Sequence, residues 1–303
     1  MAGWKRGALG ILILFAFTQA TGVLFQSFVF EVERGSTEHF IKEESRSLSP
    51  YRGNWIPLLI LPSAFLVVVN IYLLLFRSRL LVRLLKYLVY GMAILSLVVV
   101  TQILGAVLLA ILITMGLSVP VAPFEYALLI ASLFLPPALL VAGRYVVLVK
   151  NALGISLCAL VGTSVAGYFS SATILALLGV LSLFDYYFVV RSRKIVRIAE
   201  AMEAHQIPFA LSVRYTEPEP RPMEMEAQLG FGDLILATGL AVALYIDRDA
   251  GSALLAISAT TTALGLFLAL AHRGGDVKPY PAMPAIFLGG LVGYLGGILL
   301  AIR

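Results

Sequence analysis

Cysteine is almost missing from this chain. Cys158 is the single one and lies inside an apolar run, so no intrachain disulfide can hold the fold together. Histidine is nearly as scarce, with three residues and no His/Cys cluster, which removes the donor set that a zinc ion needs. Charge is thin as well, at 13% of the 303 residues. A nucleic-acid surface needs a clustered basic face with stacking aromatics, whereas the net charge of +5 is scattered over short segments. Internal repeats with a period of roughly 20 to 50 residues are absent. The chain therefore reads as one domain over 1–303.

What fills the chain is hydrocarbon. Hydrophobic residues make up 60% of it, more than a water-soluble core of this size can bury, so the expectation is a polytopic membrane protein. A crossing needs roughly 20 apolar residues. A backbone in lipid must also satisfy its own hydrogen bonds, so long uninterrupted runs mean helices and not the alternating strands of a barrel. The runs are Ala8 to Phe30, Trp55 to Phe76, Tyr87 to Met115, a nearly continuous region Tyr126 to Val190, then Leu229 to Ile246, Ser252 to Ala271 and Ala282 to Ile302. Pro136 and Pro137 kink the long region, Arg144, Lys150 and Asn151 mark a polar turn, and Gly167 to Ser171 marks a second, which divides it into three crossings. The expected fold class is all-α, with nine transmembrane helices.

Lys and Arg collect on alternate sides of these runs: Arg77, Arg79, Arg83, Lys86, Arg191, Arg193, Lys194 and Arg197 fall on the rich side with Lys5 and Arg6. Positive charge is retained in the cytoplasm, so the N-terminus is expected there and the C-terminus outside, in a multi-pass protein of the cell membrane. The first run continues to Phe30, longer than a signal core, and reads as an uncleaved helix. The outer loop Glu31 to Asn54 mixes five glutamates with four basic residues and reads as solvated. The cytoplasmic segment 191–228 opens as a basic helix tail, passes through a strand-like Ile207 to Tyr215, and turns proline-rich before Met223.

Acidic residues number 17 and nearly all fall in loops or at span ends. Asp185, in LSLFDYYFVV, and Asp233, in LGFGDLIL, lie inside apolar segments. A carboxylate there costs a few kcal/mol and calls for a function. Counted inward from Arg191 and from Glu226 at helical rise, the two sit about 9 and 10 Å deep. Consecutive helices joined by a cytoplasmic loop can bring them face to face as an acid/base pair, one ionised to deprotonate water and the other protonated to donate to a carbonyl. Gly230 and Gly232 weaken a helix by about 1 kcal/mol each yet leave bare backbone beside Asp233. Pro279 to Pro284, PYPAMP, forbid regular helix at the start of the last run and leave unpaired backbone groups at the same depth.

Taken in order, GFGD (Gly230, Phe231, Gly232, Asp233), an aspartate closing the preceding run and PAMP (Pro281, Ala282, Met283, Pro284) resemble the GxGD, YD and PAL motifs of the presenilin and signal peptide peptidase family of intramembrane aspartyl proteases. The compact size is closest to that of the archaeal presenilin homologues, and the likeness covers the whole chain. Two departures stand out: Phe184 replaces the tyrosine of YD, and Met283 replaces the leucine of PAL. The resemblance implies catalysis by Asp185 and Asp233, substrate contacts from Gly230 to Gly232 and Pro281 to Pro284, no cofactor or metal, and single transmembrane helices of other proteins as substrates. It also implies lateral admission from the bilayer, local unwinding, and pairing of the opened strand with Ile207 to Tyr215 and the backbone beside PAMP. A homo-oligomer stays open.

Blander readings apply elsewhere. Gly289, Gly293 and Gly297 in GGLVGYLGG have the spacing of a helix-packing face. Asn70 and Gln102 read as interhelical hydrogen-bonders, His205 and His272 as solvated groups, and Arg191 to Arg197 as a membrane boundary touching headgroups. Two rival functions remain: a proton- or cation-coupled transporter or channel, against which stands the absence of helix repeats, and a prepilin-type peptidase, which would not need PAMP.

Overall fold

A computed structural model describes residues 2–36, 147–204, 210–217, 223–273 and 280–301, together with short pieces between 87 and 138. The elements are α1 (Ala2–Ser36), α2 (Val147–Tyr168), α3 (Ser171–Tyr186), a π-helical turn (Tyr187–Arg191), α4 (Lys194–Ala204), β1 (Ala210–Glu217), β2 (Met223–Gly230), α5 (Phe231–Asp247), α6 (Ala250–Arg273) and α7 (Met283–Ala301). Among the described residues, five helical stretches are long and apolar enough to cross a bilayer: Trp4–Ser27, Val147–Tyr168, Ser171–Arg191, Ala250–Ala271 and Met283–Leu300. The expected crossing at Trp55 to Phe76 lies outside the described residues, as do Asn70 and Glu31 to Asn54 beyond Ser36. Between 87 and 138 the described residues are helical apart from Pro120, and Gln102 Nε2 donates to Ser132 Oγ at 2.8 Å, the interhelical role its sequence position suggested.

The bundle is built around α5. It packs on α1, α2, α3, α6 and α7, and every residue from Leu236 to Leu244 is buried. A helix apolar on all sides can be covered on all sides. Small residues let its neighbours close in: Gly22 of α1 and Gly162 of α2 both face Thr238. The peripheral helices turn apolar stripes outward instead, with Leu288, Val292, Leu295 and Leu299 exposed along α7 and Leu9, Ile13 and Phe17 along α1. Such stripes at helical spacing are a surface suited to lipid, so the fold is that of a membrane protein. Gly289 and Gly293 seat α7 on α6, where an added Cβ would stand 2.6 Å from the Thr260 and Ala256 Cα atoms respectively. The glycine face is thus the packing face its spacing indicated.

Three sequence expectations need correcting. The fold is not all-α: β1 and β2 form an antiparallel hairpin in which Ala210 pairs with Gly230 and Ser212 with Gln228. MEMEAQLG alternates with period two, a strand signal hidden next to the prolines before it. The hairpin lays its apolar side on the bundle, Val213 on Gly10, Tyr215 on Gly7 and Leu211 on Gly154, while Arg214, Thr216, Glu226 and Gln228 are exposed. Second, the seventh expected crossing, Leu229 to Ile246, begins as a helix at Phe231 and not at Leu229, so Gly230 belongs to β2. Third, Lys150 and Asn151 are not a turn but part of α2, whose amide-bearing Asn151 is buried.

Candidate active site

Helices α3 and α5 run in opposite directions and are pinned together at one end, where the Ser171 N–H donates to Asp247 Oδ2 at 2.7 Å. Fourteen residues separate Ser171 from Asp185, and fourteen separate Asp233 from Asp247. At 1.5 Å per residue each aspartate lies about 21 Å from the pin. The matched depth therefore stands, for a reason other than the count from Glu226, since Glu226 to Gly230 is strand. Met283 links the surroundings of the two aspartates: its N–H bonds to Asp185, and its Cε lies 4.0 Å from where a Cβ on Gly232, the residue before Asp233, would stand. Both aspartates are half-buried.

Asp185 is the last residue but one of α3, and the helix widens directly after it. Ser192 N–H reaches back to the Tyr187 carbonyl at 3.0 Å, closing the π turn, and Arg193 at φ 52° ends it. Single π turns often occur at functional sites. Phe184, at the tyrosine position of the resembled motif, stacks on Phe188 with ring centres 6.2 Å apart. Tyr186 and Tyr187 are exposed, and Tyr187 also stands edge-on to Phe188.

Asp233 sits in the first turn of α5, whose N-cap is Gly230 at φ −63° and ψ 145°. That backbone is open to any L-residue, so the glycine is not there for conformation. A Cβ on Gly230 would stand 3.5 Å from Asp233 Oδ2, and one on Gly232 would meet only the Met283 Cε, at 4.0 Å. Both positions leave the backbone bare around the carboxylate. Phe231 differs: its ring packs on Gly154 of α2, and its carbonyl accepts from the Cys158 thiol at 3.8 Å.

The third component is the start of α7. Ala285 and Ile286 N–H both bond to the Ala282 carbonyl, while Pro281 and Pro284 have no N–H to give. Met283 opens the helix, where an amide has no partner within the helix. Its N–H donates to Asp185 Oδ2 at 3.3 Å. Pro281 is buried, and Ala282, Met283 and Pro284 are half-buried. Tyr280 hydroxyl donates to the Ala271 carbonyl at 3.2 Å, tying this segment to the end of α6. The side chains of His205 and His272 lie outside the described residues.

The arrangement thus collects two carboxylates, a backbone donor on one of them, and open backbone on the other's flank. Among the described residues no three His, Cys, Asp or Glu side chains gather as a metal site. Sequence reasoning missed Asn151, Ser171 and Asp247, whose roles are contacts across 61 and 76 residues. The one local signal was a polar side chain in an apolar stretch.

No protein-family model matches the chain, and no curated protein matches it. Solved structures do. A presenilin family intramembrane aspartate protease, in its C222 crystal form, superposes with a TM-score of 0.61 over 97% of this chain and 99% of that one, at 18% identity. The P2 form gives a TM-score of 0.59 over 96% and 97%, also at 18% identity. The protein therefore has the fold of the presenilin family intramembrane aspartate proteases.

Proposed function

We propose that the protein is an intramembrane aspartyl endopeptidase that hydrolyses peptide bonds within transmembrane helices of other proteins. The observation that carries this is the pairing of Asp185 and Asp233 at one depth on antiparallel neighbouring helices, with the Met283 amide on Asp185. Two carboxylates sharing a proton can run both halves of the reaction. The ionised one takes a proton from water, whose oxygen attacks the scissile carbonyl. The protonated one donates to the carbonyl oxygen. Collapse of the tetrahedral intermediate returns a proton to the leaving nitrogen and yields a carboxyl and an amine terminus.

A helical peptide bond is shielded by its own turn, so the substrate must open into a strand before attack. Strand addition to the hairpin supports that state. Asn151 engages β1 from outside, through Ser212, which favours β2 over the Ile207 to Tyr215 partner expected from sequence. Since Ser212 turns its backbone groups away from Gln228, the pair is the non-bonded kind, and Gln228 presents its own N–H and C=O on the outer edge of β2. That edge leads through Gly230 to Asp233. Gly232, Ala282 and Met283 then line the approach, with Pro281 and Pro284 shaping it, while Phe231 serves the packing of α5. The site faces the cytoplasmic half of the cell membrane, with the N-terminus inside and the C-terminus outside, as the basic residues require.

The test is reconstitution with a single-span substrate carrying a few helix-destabilising residues, with products read by mass spectrometry. Wild type should cut within the span, and Asp185→Asn and Asp233→Asn should each be silent. Cleavage by either variant at the wild-type rate removes the pair from the mechanism. Ion flux that needs Asp233, with no cleavage, would turn the reading to a transporter.

A further inference from the structure

The buried Asn151 side chain makes two hydrogen bonds to one residue of β1. Its Nδ2 donates to the Ser212 carbonyl at 2.6 Å, and its Oδ1 accepts from the Ser212 N–H at 2.9 Å. A primary amide bonded in this way reproduces the two bonds of a neighbouring strand. Asn151 thus stands in for a third strand at a single point on the outer edge of β1, where both partners are buried.

The contact belongs to a stripe. Asn151, Gly154 and Cys158 recur at i, i+3 and i+7 along α2, one face of a helix. Gly154 seats both Leu211 of β1 and Phe231 of α5. Cys158 donates to the Phe231 carbonyl. Two segments are held against this face in sequence: the strand that opens the hairpin, and the helix start that carries Asp233 two residues later. Leu211 and Phe231 cannot shift along α2 without leaving the same glycine. Lys150 adds a longer contact to Glu226 of β2 at 3.9 Å.

We propose that Asn151 is a positioning residue that sets the hairpin's place along α2 relative to Asp185 and Asp233, and thereby which peptide bond of an added substrate strand is cut. This rests on the protease reading above. A strand paired to the hairpin inherits its register, so a slip of the hairpin moves a different bond to the carboxylates. Packing by Leu211 alone is apolar and non-directional, whereas two hydrogen bonds to one backbone residue admit one register.

The experiment compares wild type with Asn151→Ala and Asn151→Leu on one single-span substrate, scoring the ratio of products cut at neighbouring bonds separately from total turnover. Asn151→Leu keeps the size of the side chain but loses both the donor and the acceptor. Both variants should spread cleavage to adjacent bonds, lowering the ratio of the main product to its neighbours about fivefold. Product ratios unchanged from wild type, with or without slower turnover, overturn the proposal and leave the protease reading intact. Absence of cleavage by wild type counts against the protease reading instead. Amide hydrogen exchange on the wild type needs no variant to fold. The Ser212 amide should exchange at least about tenfold more slowly than those of Arg214 and Thr216, its neighbours on the same edge. Equal rates would show that the clamp does not hold and would overturn the proposal.

Discussion

The Met283 N–H donates to Asp185 Oδ2 at 3.3 Å, joining the start of α7 to the end of α3 across 98 residues of sequence. The donor is left over by its surroundings, because Pro281 and Pro284 offer none and Ala285 is engaged with Ala282. Met283→Pro deletes that N–H at a helix position where proline is well tolerated. A hydrogen bond to a charged group contributes about 1.5–3 kcal/mol, so cleavage should fall about 10- to 100-fold. Thermal unfolding in detergent should show Tm lowered by only a few degrees, since the same bond links α7 to α3 in the folded protein, so cleavage is scored well below that Tm. A variant as active as wild type would remove the amide from the mechanism.

Gly232 separates two accounts of the glycines beside Asp233. It is exposed, and a Cβ there meets only the Met283 Cε, at 4.0 Å. Gly232→Ala in the first turn of α5 should leave Tm unchanged or raise it, by up to about 1 kcal/mol in stability. If substrate backbone must approach this surface, the same methyl should lower cleavage about tenfold, mainly through KM. Unchanged kinetics would remove Gly232 from the substrate's path, and a fall in Tm would assign the glycine to helix packing.

Helix α7 carries Met283 and is set by its contact with α6. Gly289→Ala would bring a methyl to 2.6 Å from Ala259 O and Thr260 Cα, backbone atoms that cannot yield. Overpacking of this kind costs about 1–3 kcal/mol. Gly296→Ala meets only Leu255 Cδ1, at 3.4 Å, and should be neutral. Paired thermal melts, with cleavage rates beside them, check both, and equal Tm values would contradict the close-packed geometry.

Asp249, between α5 and α6, accepts the Ser252 amide through Oδ1 at 2.7 Å, and that bond holds its carboxyl below the usual carboxylate range. An acid with a depressed folded value stabilises the fold fully above its unfolded value, ~3.9, and loses that contribution as pH falls through the folded value. Asp249→Ala should therefore lower Tm at neutral pH, and the gap to wild type should shrink as pH drops below ~3.9. Asp249→Asn, which keeps a capping oxygen, should fall between the two. A gap that widens in acid would reverse the assignment.

Much of this was legible along the chain because it depends on near neighbours. The 60% hydrophobic content and the run lengths determined a membrane protein of helices. The bounds read for the last run, Ala282 to Ile302, nearly match α7, and GGLVGYLGG announced its packing face. Asp185 and Asp233 stood out because a charge in an apolar run is costly wherever that run goes. Other features needed partners that sequence order does not reveal. Alternation in MEMEAQLG becomes a strand only when β1 lies beside it and Gly7, Gly10 and Gly154 receive the hairpin's apolar side. Asn151 looked like a turn residue because an amide in an apolar stretch costs energy unless it is satisfied, and Ser212, which satisfies it, is 61 residues away. Composition and periodicity determined what the helices are and where their unusual charges sit. The tertiary fold alone decided how the helices that carry them are aligned, through the pin of Ser171 on Asp247, because a hydrogen bond from a backbone N–H to a side chain 76 residues away leaves no local trace.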